Sequence, residues 1–178
     1  EDGILQRYFE SLGLPITTGS SESVTGTFNK FATTSRLRSA GFSVGNSIEM
    51  SVEAVLDTEI VERIEREVGV PCFVKPNKGG SSLGISRVNE IEELDAAVEL
   101  AKSTLCESII IEELLEGPEY SIGILPGMDG EPEAMPITEI ISENDFFDYN
   151  AKYEGASKEI TPADLSSTNV QAMQEAGL

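Results

Sequence analysis

Apolar positions along the chain switch between helical and strand spacing, which predicts a mixed α/β (α+β) fold. Ile4, Leu5, Tyr8, Phe9 and Leu12 share one face of a helix over 3–12, which Gly13 and Pro15 end. A short strand is expected over 16–18. A helix is then expected from Ser21 to Ala40, stopped by Gly41, with a weak stripe of Phe28, Phe31 and Leu37. Residues 47–50 read as extended. Ile60, Val61, Ile64 and Val68 align on a helix over 58–68.

The next unit is the most informative. Residues 72–75 read as a strand ended by Pro76, and residues 77–84 are too glycine-rich for anything but a loop. A strand resumes over 85–88. Asn89 and Glu92 are expected to form a capping box for a helix reaching about Ser103, with Ile91, Leu94, Val98 and Ala101 facing inward. Ile109, Ile110 and Ile111 mark a strand over 108–113. Beyond Glu116-Gly117-Pro118-Glu119 the pattern changes to strands over 120–125 and 134–141, joined by a turn at Asp129-Gly130. Residues 144–161 are polar and aromatic without a period, and a helix begins near Pro162. The composition shift at 114–119 is the best internal boundary. The first residues fall at a helix start and the last within a helix, as expected of an internal fragment.

Composition narrows the chemistry. The 178 residues hold 32 acidic and 12 basic side chains, a formal charge of -20. Such a field repels nucleic-acid backbones, and it forces any anion site to gather its few cations locally. The acidity otherwise reads as a solvated surface. There is no histidine, so Ser-His-Asp triads, Cys-His dyads and His-ligated zinc are excluded within this stretch. Cys72 and Cys106 are too few for a disulfide framework and read as small buried apolar residues in a reduced, cytoplasmic setting. No apolar run approaches the ~20 residues of a membrane-spanning helix.

The loop 77–84 is the candidate for chemistry. Gly79 and Gly80 allow backbone N–H groups to face a phosphate, and Ser81 and Ser82 add hydroxyl donors. It lacks the Lys-Ser or Lys-Thr ending of a P-loop and joins two strands rather than a strand and a helix. Lys75, at the end of the incoming strand, is the candidate phosphate lysine. A mobile hairpin loop is an equal reading of these residues alone. Lys30, Glu112 and Glu119, each by itself, read as surface charges.

In combination the segments resemble a known family. Phe-Val-Lys-Pro with Gly-Gly-Ser-Ser-Leu-Gly (73–76, 79–84) resembles the lid of D-alanine–D-alanine ligases, of the ATP-grasp superfamily. Ile-Glu-Glu with Glu-Gly-Pro-Glu (111–113, 116–119) is similar to that family's adenine and ribose segment. Phe-Phe-Asp-Tyr-Asn-Ala-Lys-Tyr (146–153) resembles its omega loop, which 160–163 continues. Glu-Asp-Gly at 1–3 and Phe-Asn-Lys at 28–30 fit in order. The resemblance implies an ATP-grasp fold: 1–18 the tail of an N-terminal domain, 19–113 the central lid domain, and 114–178 the first part of the C-terminal domain. It implies that Lys30, Lys75 and Lys152 meet ATP phosphates and that Ser81 and Ser82 lie on the closing loop. Glu112 and the backbone of Glu113 to Leu115 would hold adenine, and Glu119 the ribose. Ser81, Lys152 and Tyr153 would serve catalysis, with Tyr153 closing the site over the first D-alanine.

The implied reaction is ATP-dependent joining of two D-alanines for peptidoglycan, by a cytoplasmic homodimer when full length. Its Mg2+ ligands are expected beyond Leu178, and a substrate-binding glutamate before Glu1, so no metal ligand is assigned here and the fragment alone is expected to be inactive. A D-alanyl-D-lactate or other ATP-grasp ligase, and a nucleotide-binding module without catalysis, are the alternatives. Tyr153 and the histidine-free omega loop lean toward the dipeptide former.

Overall fold

A computed structural model describes residues 2–142 and 157–178. The chain divides into two compact units, Glu1–Leu115 and Glu116–Leu178. In the first, α1 (Ile4–Ser11), α2 (Ser21–Phe28) and α3 (Lys30–Ser39) precede β1 (Ser47–Ser51), α4 (Thr58–Glu67), β2 (Cys72–Pro76), β3 (Ser86–Val88), α5 (Leu94–Lys102) and β4 (Ser108–Glu113). The strands form one antiparallel sheet in the order β1-β4-β2-β3.

Register decides which side chains share a face, because successive residues of a strand point to opposite sides. Ile48, Ile111 and Val74 lie abreast across three strands, as do Met50, Ile109 and Pro76. With Cys72 and Val88 they make the face that packs against Ile64 of α4 and Leu94, Ala97, Val98 and Ala101 of α5. Burial pushes the Cys72 thiol up to about 11, so it stays a neutral apolar filler. Ile110 points to the opposite face and is also fully buried. The central strand β4 is therefore covered on both sides, which is why its isoleucines run without a break.

Local chemistry sets the ends of the elements. Asp57 caps α4 by accepting from Ile60 N–H at 2.9 Å. The expected box of Asn89 and Glu92 is shifted by one residue. Glu90, still extended, and Glu93 form it instead, and Glu93 Oε2 also accepts from Asn89 N–H at 2.7 Å. A single 3-10 turn, Ile91–Glu93, then leads into α5.

The expected helix over 21–40 is two helices. Asn29 leaves helical geometry at φ -88, ψ 104, and its side chain caps α3 by accepting from Ala32 N–H at 2.8 Å. The break makes Lys30 the first residue of α3. No strand forms over 16–18; turns and loop connect α1 to α2 there. Glu10 ties the two helices together, accepting from Ser21 N–H at 2.7 Å and from Ser21 Oγ at 2.6 Å.

The Glu10 contact carries a pH prediction. The Ser21 hydroxyl, then the Ser21 backbone N–H, hold the Glu10 carboxyl below its ordinary value of 4.5. A depressed carboxylate stabilises the fold above its unfolded pKa, and that contribution is lost as pH falls through the lower folded value. The Glu10 carboxyl should titrate below 4.5 by NMR, and Ser21→Ala should move it back up. A midpoint unaffected by Ser21→Ala removes the hydrogen bonds as the cause.

In the second unit β5 (Glu119–Ser121), β8 (Thr138–Ser142) and β9 (Ser157–Ile160) form one sheet, and β6 (Ile124–Pro126) pairs with β7 (Pro132–Ala134). The two long strands expected at 120–125 and 134–141 are each divided. Ser121 pairs with Thr138 but Ile124 with Ala134, so the returning chain carries one residue more than the outgoing chain. Pro136 lies in that surplus and has no N–H for a ladder. The last helix, α6 (Ser167–Gly177), starts later than Pro162. Ala163 N–H still donates to Ile137 O at 2.8 Å, and Ser166 Oγ caps α6 through Asn169 N–H at 3.2 Å.

Candidate functional site

The sheet face opposite α4 and α5 gathers polar side chains within the first unit. One row across the strands reads Ser47, Glu112, Phe73, Arg87, and the next reads Glu49, Ile110, Lys75. Lys75 and Glu112 are diagonal neighbours on this face, and their side chains meet at 2.5 Å with about a fifth of each exposed (18% and 23%). Lys75, in the row that also holds the buried Ile110, is the phosphate lysine expected from the sequence, and its ammonium is held by a carboxylate on the neighbouring strand.

Ser47 Oγ and Arg87 Nε stand at the two ends of the first row, and both are buried with no hydrogen-bond partner among the described residues. Buried donors are nearly always satisfied, so an unsatisfied one marks a place for a group that the described residues do not supply. Neither residue stands out in the hydrophobic pattern or in a motif. Their placement depends on register, which appears only once four strands are paired.

The glycine loop joins β2 to β3, two adjacent antiparallel strands, as expected. Ser81 and Ser82 both lie at φ 55, a left-handed conformation that costs a non-glycine residue about 1–2 kcal/mol. Two such serines in succession are strain of the kind that clusters where a loop meets a ligand. Gly84 closes the loop at φ 70, where a Cβ would come within 2.6 Å of Thr104 Cγ2 and 3.2 Å of Pro76 Cγ. Lys78 anchors the outer side of the loop to Glu107 at 3.0 Å.

Lys30 reaches the loop from α3. Its ammonium donates to the carbonyls of Pro76 at 3.0 Å and Gly79 at 3.0 Å, with Asn77 O at 3.4 Å. Lys30, Lys75, Glu112 and the loop are thus brought together by one unit. Glu113 Oε2 accepts from Asn46 N–H at 2.9 Å. The Glu113 and Leu114 N–H groups are used inside the unit, by Asn46 O at 2.9 Å and Pro71 O at 3.3 Å, while Leu115 is exposed at its edge. The first-unit backbone left for a planar ring is therefore the carbonyls and the N–H of Leu115. Glu119 opens β5 of the second unit and is exposed. Lys152 and Tyr153 lie outside the described residues.

Comparison with known proteins decides the family. Residues 37–178 match the family model described as D-ala D-ala ligase C-terminus. The chain belongs to the D-alanine–D-alanine ligase family. It is 46% identical over 98% of its length to a D-alanine–D-alanine ligase of Flavobacterium johnsoniae, covering 53% of that protein. It is 38% identical over 98% to one of Phocaeicola vulgatus, covering 52%. The chain therefore spans about half the length of the curated relatives it matches.

Among solved structures it superposes on the VanG D-Ala:D-Ser ligase of Enterococcus faecalis with a TM-score of 0.84 and 33% identity, covering 99% of this chain and 50% of that one. For the Bacillus anthracis D-alanine–D-alanine ligase the TM-score is 0.80 at 30% identity, covering 99% and 55%. These likenesses place the antiparallel sheets and their helices in the ATP-grasp fold of the family. Among the described residues no group of three Cys, Asp or Glu is placed to hold a metal, and no helix is long and apolar enough to cross a membrane.

Proposed function

We propose that this chain carries the nucleotide-binding part of an enzyme that joins two D-alanines at the expense of ATP. The observation that carries the reading is the convergence of Lys75, Lys30 and the strained serine loop on one side of a sheet whose ion pair holds the Lys75 ammonium in place. The unsatisfied Ser47 Oγ and Arg87 Nε on the same face support it, since a polar ligand would supply what they lack. Residues 1–18 read as the tail of an N-terminal domain, 19–113 as the lid domain and 114–178 as the opening of the C-terminal domain.

The chemistry needs such a site. A carboxylate is a poor electrophile because its leaving group would be oxide. Its oxygen attacks the terminal phosphorus of ATP, ADP leaves, and the resulting acyl phosphate can lose phosphate. The second D-alanine nitrogen then attacks the acyl carbon, phosphate departs and the amine gives up a proton. Negative charge builds on oxygen in both steps, so fixed cations and N–H donors stabilise them. Lys30, Lys75 and Lys152 would hold the phosphates, and Ser81 and Ser82 would lie on the loop that excludes water. Glu112, the backbone of Glu113 to Leu115, and Glu119 would hold adenine and ribose, and Tyr153 would close over the first D-alanine. Mg2+, when bound, neutralises phosphate charge; the described residues offer no ligand set for it. A cytoplasmic homodimer is part of the same reading.

The VanG relative's D-Ala:D-Ser activity favours a second reading, a family member with another second substrate. The full-length enzyme, given ATP and D-alanine with equimolar D-serine or D-lactate, should form D-alanyl-D-alanine as its main product. A mixed dipeptide or depsipeptide in excess supports the second reading. No D-alanine-dependent ADP formation with any partner removes both.

A further inference from the structure

Asn77 is one of only two polar residues buried in the described part of the chain, and its side-chain and backbone groups bind three other elements. Its Nδ2 donates to Glu49 Oε1 of β1 at 2.6 Å and to Ser108 Oγ of β4 at 3.1 Å. Its Oδ1 accepts from Phe31 N–H at 2.9 Å, capping α3 from another part of the chain. Its own N–H donates to Ser108 O at 3.0 Å, and its carbonyl accepts from Lys30 N–H at 3.1 Å. The glycine loop starts at this residue. The carbonyl just before it, of Pro76, and that of Gly79 two residues on grip the Lys30 ammonium.

We propose that Asn77 is a positioning residue for the nucleotide phosphates, acting through Lys30. It fixes the first turn of α3, and with it the lysine, to the mouth of the glycine loop. An amide is suited to this position because it both donates and accepts. The acceptor satisfies an otherwise unpaired N–H at the start of α3, while the donor ties the same side chain to Glu49 and Ser108 of the sheet. Aspartate would keep the acceptor but set a second carboxylate against Glu49. Alanine would leave the Phe31 N–H without its acceptor and Glu49 Oε1 with only the Ser108 hydroxyl, at 2.7 Å, and let Lys30 move with α3. Holding a cation to within a fraction of an ångström is what separates a working phosphate contact from a nearby charge. The proposal rests on the reading of Lys30 as a phosphate ligand.

The test uses the full-length enzyme and reads KM for ATP, kcat and melting temperature together. Asn77→Ala should raise KM for ATP about tenfold, and the increase should vanish in a Lys30→Met background, since two residues that act as one unit are not additive. Asn77→Asp should also raise KM, and adding Glu49→Gln should restore it. The glutamine amide then donates to the aspartate across the same contact, with donor and acceptor exchanged. This exchange keeps the proposal testable even where Asn77→Ala does not fold. A merely structural role predicts lower melting temperatures with KM for ATP unchanged in the folded variants, and that result overturns the proposal. Full additivity of Asn77→Ala and Lys30→Met overturns it as well. If Lys30→Met and Lys75→Met both leave KM for ATP unchanged, the nucleotide reading itself fails and takes the proposal with it.

Discussion

Ile111→Ala should destabilise the first unit by about 2–5 kcal/mol, the cost of deleting a large buried aliphatic side chain and leaving part of its cavity unfilled. Ile111 is fully buried on the central strand, abreast of Ile48 and Val74, in the cluster that includes Ile64 of α4 and Val98 of α5. Few neighbours can collapse into the space, because both flanking strands are held by their ladders. Urea unfolding should show a lower midpoint with an unchanged slope, the sign of lost stability rather than a changed unfolded state. Leu105→Ala is the control. That leucine is fully exposed, and its loss should stay within about 0.5 kcal/mol. Equal effects for the two substitutions would mean that β4 is not the centre of the sheet.

The same strand explains why much of the fold was legible. Ile109, Ile110 and Ile111 announce β4 because both faces of a central strand are covered and no polar residue needs to alternate with them. The glycine loop was legible for a related reason: Gly79, Gly80 and Gly84 allow backbone geometry that would break a helix or strand. What escaped the pattern is where a single side chain decides the backbone. Asn29 divides a helix by capping its second half, in a polar stretch whose periodicity cannot show the break. The one-residue surplus around Pro136 divides two strands, and a shift of pairing by one residue leaves no mark in the composition of either chain segment. The box at Glu90 and Glu93 differs from the expected one by a single register step, and acidic residues at 90, 92 and 93 make those registers alike in composition.

The site was legible as a set of residue types and not as a geometry. Lys75 could be assigned to the end of a strand, but its pairing with Glu112 spans 37 residues of sequence and requires the register of β2 on β4. Asn77 could be read only as a loop residue, because its partners lie on β1, β4 and α3. Arg87 could not be joined to the same face until β3 was paired with β2.

Lys75→Met should raise KM for ATP by about 10- to 100-fold in the full-length enzyme, because one charge-assisted hydrogen bond to phosphate is worth about 1.5–3 kcal/mol. Two effects act in the same direction. The phosphate loses a cation, and the half-buried Glu112 carboxylate loses the ammonium that neutralised it at 2.5 Å. The second effect has its own signature in stability. Removing one partner of a buried pair leaves an uncompensated charge, so Lys75→Met should also lower the melting temperature. Glu112→Gln in the same chain removes that charge, and the double variant should regain most of the lost stability while KM for ATP stays high. A purely structural ion pair would behave differently, since the double variant would recover both properties together. If Lys75→Met leaves KM for ATP unchanged while the melting temperature falls, the lysine belongs to the sheet alone and the phosphate assignment is wrong.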